Sequence, residues 1–208
     1  MRYEAPETKG EAVSLLAMAE GSGRVLAGGT DLLVQLRSGV VKPSVVVDIK
    51  KIVETREITA EHGGFRVGAA VTGAELDEHK ALKKLWPGVV EAVELIGSTQ
   101  VQGRASMGGN LCNASPAADS VPALIAAGAQ CHIAGPDGER TLPVEEFCAG
   151  PGVTNLQTGE FLVSFTLPSR PPHSGDAYLR FIPRTEMDIA VVGVGVSLSL
   201  DSNGICVA

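Results

Sequence analysis

Few side chains in this sequence could do chemistry unaided. Ser98, Ser115 and Ser120 have no histidine near them in the chain, although the fold could bring one. His62, His79, His132 and His173 are scattered and form no helical ligand pair, and Cys112, Cys131, Cys148 and Cys206 include no CxxC. That inventory supplies neither an activated nucleophile nor a metal site. What is concentrated instead is accessible backbone. Leu26-Ala27-Gly28-Gly29-Thr30-Asp31-Leu32-Leu33 carries one pair of adjacent glycines. Ser106-Met107-Gly108-Gly109-Asn110 carries another, with Asp119 following. With no Cβ in the way, a ligand can approach the N–H groups of such turns closely. A helix start just beyond adds unpaired N–H groups and partial positive charge, which suits phosphate. Two such loops, each leading into a helix, could hold the phosphates and ribose of one extended cofactor.

The elements that must carry these loops are legible from patterning. Residues 11–19 have a helical apolar face, ended by Gly21-Ser22-Gly23. Residues 24–27 read as a strand, the glycine turn follows, and a helix runs from Asp31 to about Arg37. Thr30 and Asp31 are candidate caps for it; for Asp31, capping with the carboxylate turned away competes with ligand contact. Val45-Val46-Val47-Asp48 is a buried strand by its β-branched content. Residues 1–57 thus form a βαβ-type lobe. Residues 56–59 and 65–71 form a hairpin turning at His62-Gly63-Gly64, and residues 72–84 read as one helix capped by Thr72. Pro87 opens the next helix, which Gly97 stops. After the second glycine loop come a helix over 120–127, a hairpin around Pro136-Asp137-Gly138, and an alternating strand over 161–167. Residues 58–170 make a second, α+β lobe. A proline-rich linker at 169–175 leads to strands over 177–182 and 189–200, assigned to a further domain over 175–208. Two strands cannot bury so apolar a face alone. The chain stops at 203–208 inside what reads as a hairpin, so this domain is expected to be cut short.

Composition narrows the function classes. The 208 residues are 44% hydrophobic and 20% charged, with 25 glycines and few aromatics, an ordinary globular profile rich in turns. A net charge of −7 without a basic stripe argues against nucleic acid as a partner. No apolar run is long enough for a membrane span, and the first residues lack a signal-peptide core, so a cytoplasmic location is expected.

The AGGTDLL stretch followed by SMGGNLCNASPAADS resembles the FAD-binding medium subunits of molybdenum hydroxylases, the carbon monoxide dehydrogenase and xanthine dehydrogenase family. Both signatures are long, in the family's order and at its separation, and the likeness extends over nearly the whole chain. It implies an α+β fold: a two-lobed FAD domain of the vanillyl-alcohol-oxidase or p-cresol-methylhydroxylase type, then the start of a C-terminal α+β domain. It implies FAD as cofactor, with residues 26–33 wrapping the pyrophosphate and Ser106, Gly108, Gly109 and Asn110 at the family's second set of contacts. Asp119 falls where an acidic residue binds the ribose or adenosine portion; N-capping of the helix at 120–127 is its other reading. Ile96 falls at an apolar flavin contact, and Leu162 or Val163 on a strand beside the adenine. Arg180 replaces a lysine near the flavin, and a guanidinium does not reproduce ammonium geometry. Ile189 follows Asp188 at a position packed by the isoalloxazine.

The resemblance further implies a molybdopterin-binding large subunit, a small subunit with two iron–sulfur clusters, and a dimer of heterotrimers. Electrons would pass from the clusters to the flavin and on to a quinone or NAD, the cofactor doing the redox work while the protein orients it. Some relatives acting on aromatic thioesters carry a cluster in an inserted loop. No such insertion is present, so the cysteines here read as free, mostly buried thiols. Two other readings are a stand-alone flavin oxidase of the same fold and a scaffold that has lost its cofactor.

Overall fold

The computed structural model describes residues 1–185 and 188–207. The first strands and helices alternate: β1 (Arg2–Glu4), α1 (Lys9–Met18), β2 (Gly23–Leu26), α2 (Leu32–Arg37) and β3 (Val45–Asp48). The strands form a three-stranded parallel sheet in the order β1-β3-β2. β3 is central, and all four of its residues are buried, as a parallel strand covered on both faces requires. α1 starts with a capping box: the Thr8 hydroxyl accepts from the Glu11 amide, and the Glu11 carboxylate accepts from the Thr8 amide.

Beyond two short 3-10 turns come the hairpin β4 (Ile58–Glu61) and β5 (Gly64–Gly68), then α3 (Gly73–Glu78), α4 (Lys80–Leu85), α5 (Pro87–Glu94), α6 (Met107–Cys112) and α7 (Ser120–Ala126). Next are β6 (Gln130–Gly135), β7 (Gly138–Pro143), the small pair β8 (Cys148–Gly150) and β9 (Val153–Thr154), and β10 (Phe161–Leu167). A five-stranded antiparallel sheet results, ordered β4-β5-β10-β6-β7. The single helix expected over 72–84 is two. At His79 the backbone leaves the helical region (φ −82°, ψ 82°), and the His79 Nδ1 accepts from the Leu82 amide at 3.1 Å, which caps a fresh helix.

β10 joins the two cores. Phe161 and Val163 pack with Ala12, Leu16, Val45 and Val47 of the first lobe, whereas Leu162, Phe165 and Leu167 pack among the helices of the second. The parity changes because the β10–β6 register shifts between Leu162 and Ser164, a bulge that turns the later odd-numbered residues to the opposite face. The strand expected to alternate is therefore buried at nearly every position.

The last strands, β11 (Ser174–Phe181) and β12 (Val192–Ser199), pair antiparallel over their full length. One face lies on α5 and α7, with Tyr178 buried in the second core, while Leu179, Phe181, Val192 and Val194 are exposed. The Asp201 carboxylate accepts from the amides of Asn203 and Ile205, and Leu200 bridges Cys206, so the end of the chain turns tightly. Ala208 lies outside the described residues.

Candidate cofactor-binding site

A cleft of about 580 Å³ opens between the lobes, within the usual range for small-molecule sites. β2 delivers its first wall. After Leu26 the chain leaves the parallel sheet, and the Ala27 carbonyl is fixed by the Lys50 Nζ at 2.9 Å. Lys50 also bonds the Asp48 carboxylate at 2.7 Å, and Asp48 accepts from the Tyr3 hydroxyl at 2.6 Å. Gly28 then presses on the second lobe, where an added Cβ would stand 1.8 Å from the Arg104 carbonyl oxygen. Gly29 turns the chain at φ +82°, and its carbonyl accepts the Leu33 amide as α2 begins. Among the described residues, no acceptor meets the amides of Gly28, Gly29, Thr30 and Asp31.

Asp31 does not cap α2. Its backbone is already helical (φ −93°, ψ −49°), while a capping side chain needs an extended residue to reach back to the second or third amide. Its carboxyl stays at the cleft wall, where desolvation raises its pKa above the ordinary carboxylate value.

The second glycine pair is not a loop. Gly108 and Gly109 lie inside α6, which Ser106 caps by accepting the Gly109 amide at 3.0 Å, with Met107 and Leu111 buried one turn apart. A Cβ on Gly108 would stand 2.4 Å from the Ala69 carbonyl oxygen, whereas one on Gly109 would meet only the Ser106 Oγ, at 3.1 Å. The Asn110 Oδ1 accepts both the amide (3.1 Å) and the hydroxyl (2.6 Å) of Ser120 and so ties α6 to α7. Across the cleft, the Gln35 Nε2 of α2 donates to the Asn113 Oδ1 at 3.1 Å.

A third wall, residues 152–160, has no counterpart among the positions expected from the sequence. Gly152, Thr154, Leu156, Gln157 and Thr158 line the cleft. Arg140 holds them from behind, its guanidinium bonding Glu160 at 2.7 and 2.8 Å and the Asn155 carbonyl at 2.9 Å. That pairing keeps the Glu160 carboxyl below its ordinary pKa. The local signal was weak: the polar, turn-forming run Thr154-Asn155-Leu156-Gln157-Thr158-Gly159 just before a strand.

Ala27, Gly28, Gly29, Thr30, Asp31, Leu32, Ile96, Ser106, Gly108, Gly109, Asn110 and Leu162 converge on this cleft. The other expected residues lie elsewhere. Leu26 and Leu33 back the glycine turn, their side chains crowding Gly29, and Leu33 is largely exposed. Val163 faces the first-lobe core, and Ile189 is exposed. Asp119 does not cap α7; it is buried against Tyr178 and Arg180, whose bonds to it measure 2.9 and 3.0 Å. Burial and the adjoining carboxylate push the Tyr178 hydroxyl pKa up.

Unpaired amides, one forced turn and two lobes in close apposition suit an elongated anionic cofactor, because phosphate oxygens need donors that nothing else has claimed. Among the described residues, no cluster of histidine, cysteine and carboxylate groups could hold a metal ion, and no helix is long and apolar enough to cross a membrane.

Residues 1–170 match the family described as the FAD binding domain in molybdopterin dehydrogenase, and the chain belongs to that family of oxidoreductase subunits. FAD is thus the cofactor that the cleft has to fit. Among individual proteins, the chain is 35% identical over 202 residues to the xanthine dehydrogenase FAD-binding subunit of Escherichia coli O157:H7, covering 96% of this chain and 69% of that one. It is 31% identical over 201 residues to the carbon monoxide dehydrogenase medium chain of Hydrogenophaga pseudoflava, covering 97% and 70%. A chain of reconstituted CO dehydrogenase from Oligotropha carboxidovorans superposes with a TM-score of 0.94 at 28% identity, covering 100% of this chain and 72% of that one.

Proposed function

We propose that the protein holds FAD across the two lobes as the flavoprotein subunit of a multi-subunit molybdenum hydroxylase. The observation that carries this reading is the row of amides at residues 28–31 that no acceptor meets among the described residues, placed where the first lobe meets Arg104 and Ala105, just ahead of α6. The amides of Gly28, Gly29, Thr30 and Asp31 bind the pyrophosphate, with Thr30 adding a hydroxyl. Ser106, Gly108 and Gly109 shape the facing wall, and Ile96 and Leu162 offer apolar surface to the ring systems. Asn110 acts through α7, since its carbonyl oxygen is already engaged by Ser120. When bound, the flavin supplies two-electron redox chemistry and the exchange of electrons with one-electron centres. In the complex those electrons come from iron–sulfur clusters of a small subunit, after substrate oxidation at a molybdopterin centre in a large subunit, and leave to a quinone or NAD.

The reading is tested by the visible spectrum and flavin content of the protein, alone and with its co-purifying subunits. About one FAD per chain is expected. A protein that stays colourless and unliganded in both states overturns it.

A further inference from the structure

β11 runs along α5 and touches it at three regular intervals. Asp176, Tyr178 and Arg180 share one face of the strand, at a spacing of two. The Asp176 carboxylate stands beside Gly88 and faces the unpaired amides of the α5 N-terminus, where Trp86 itself provides no side-chain cap. The Tyr178 amide donates to the Glu91 carboxylate at 3.4 Å. The Arg180 Nη1 donates to the Leu95 carbonyl at 2.8 Å, an orphan acceptor at the other end of the same helix. The partners at 88, 91 and 95 follow the i, i+3, i+7 stripe of one helix face. Arg170 locks the N-terminal end. Its guanidinium stacks 4.7 Å from the Trp86 ring and donates to the Leu85 carbonyl at 2.6 Å and to Asp176 at 2.5 Å. Asp119 locks the C-terminal end by accepting from both Tyr178 and Arg180.

The end fixed by Arg180 matters because the next residue is Ile96, which lines the cleft before the chain reverses at Gly97, φ +65°. We propose that Arg180, held by Asp119 and Tyr178, is a positioning residue for the cofactor cleft: it sets the last turn of α5 and thereby the seat of Ile96. This rests on FAD occupying the cleft. It assigns Asp119 and Arg180 a role that needs no contact with FAD. Both N–H groups of the Arg180 Nη1 are spent on Leu95 and Asp119, and neither Arg180 nor Asp119 lines the cleft.

Two measurements on the full chain test it. The first is amide hydrogen exchange of the FAD-free protein. Arg180→Met should speed exchange of the amides at 95–98 about tenfold or more and leave those at 45–48, in β3, unchanged. The double variant Asp119→Asn/Arg180→Met, which strands no buried charge, should do the same if the single variant folds poorly. Unchanged exchange at 95–98 overturns the proposal. The second is a double-mutant cycle on FAD affinity. Ile96→Ala should weaken binding about tenfold in the wild type, the loss of one apolar contact, but less than about twofold once Arg180 is Met. Losses that multiply independently show that Arg180 contacts the cofactor itself and overturn the proposal. A wild type that binds no FAD defeats the reading of the cleft, while the exchange measurement still decides whether Arg180 holds the Ile96 turn.

Discussion

The two Gly-Gly pairs look alike in sequence and do different work in the fold. At 28–29 the pair is a true turn: Gly28 is jammed against the Arg104 carbonyl, Gly29 takes a positive φ, and four consecutive amides have no acceptor among the described residues. At 108–109 the pair is helical, and its two members divide the labour. Gly108 lets α6 sit on the Ala69 carbonyl, while Gly109 keeps the cleft-facing side of the helix bare. One pair offers donors, and the other brings a helix close and leaves room. Shared composition thus reflects a shared need for missing side chains, satisfied by opposite backbone conformations.

The most disruptive test of that contrast is Gly28→Val. The new side chain would force the lobes apart at the contact that closes the cleft, so stability should fall by about 3 kcal/mol and flavin should be lost together. Thermal unfolding and the visible spectrum check both. In the second pair the two effects should separate. Gly108→Ala collides with the Ala69 backbone and should cost about 1–3 kcal/mol. Gly109→Val meets only the Ser106 Oγ, at 3.1 Å, which must give by a few tenths of an ångström while it caps α6, so stability should fall by about 1 kcal/mol or less. Its isopropyl group stands in the cleft, and the flavin bands should disappear. A Gly109→Val protein that unfolds as readily as Gly28→Val would erase the distinction.

Asn110 sharpens the comparison. Asn110→Ala would strip both the amide and the hydroxyl of Ser120, which is fully buried, of their acceptor. A cost of about 2 kcal/mol is expected in chemical denaturation, with FAD affinity in the remaining folded protein reduced far less than by Gly109→Val.

These residues also mark how far sequence could reach. Hydrophobic periodicity located β2, β3, β6, β7 and β10, and glycine and proline located the turns, because those signals are local. The helix at 107–112 was hidden by its glycines, which argue against helix until Ser106 is seen to cap it and Met107 and Leu111 to anchor it. The break at His79 depends on a ring nitrogen finding one amide, and no composition rule encodes that. Twelve expected site residues converge on the cleft, yet the wall at 152–160 has only a weak turn signal in sequence, since Arg140 holds it from a hairpin that precedes it in the chain. Asp119 and Arg180 matched family positions, but their partners, Tyr178 and the Leu95 carbonyl, are set by how β11 lies on α5.

The smallest expected effect probes what steadies the first glycine turn from behind. Burial alone would raise the Asp48 pKa, but hydrogen bonds from the Lys50 ammonium, the Tyr3 hydroxyl and the Lys50 amide outweigh it, and the carboxyl titrates below its ordinary value. A carboxylate with a lower pKa in the folded than in the unfolded state stabilises the fold above the unfolded value of about 4. That contribution is lost as pH falls through the folded value. Lys50 also grips the Ala27 carbonyl, so protonating Asp48 loosens the residue just before Gly28. Among the described residues, no hydrogen bond ties α6 of the second pair to this network. Acidification below about pH 4 should therefore speed amide exchange at residues 28–31 before that at 107–110. Asp48→Asn should cost about 1 kcal/mol at neutral pH and remove this difference in acid sensitivity, because the amide cannot titrate. Equal acid response of the two glycine pairs in the wild type would show that Asp48 does not govern the first turn.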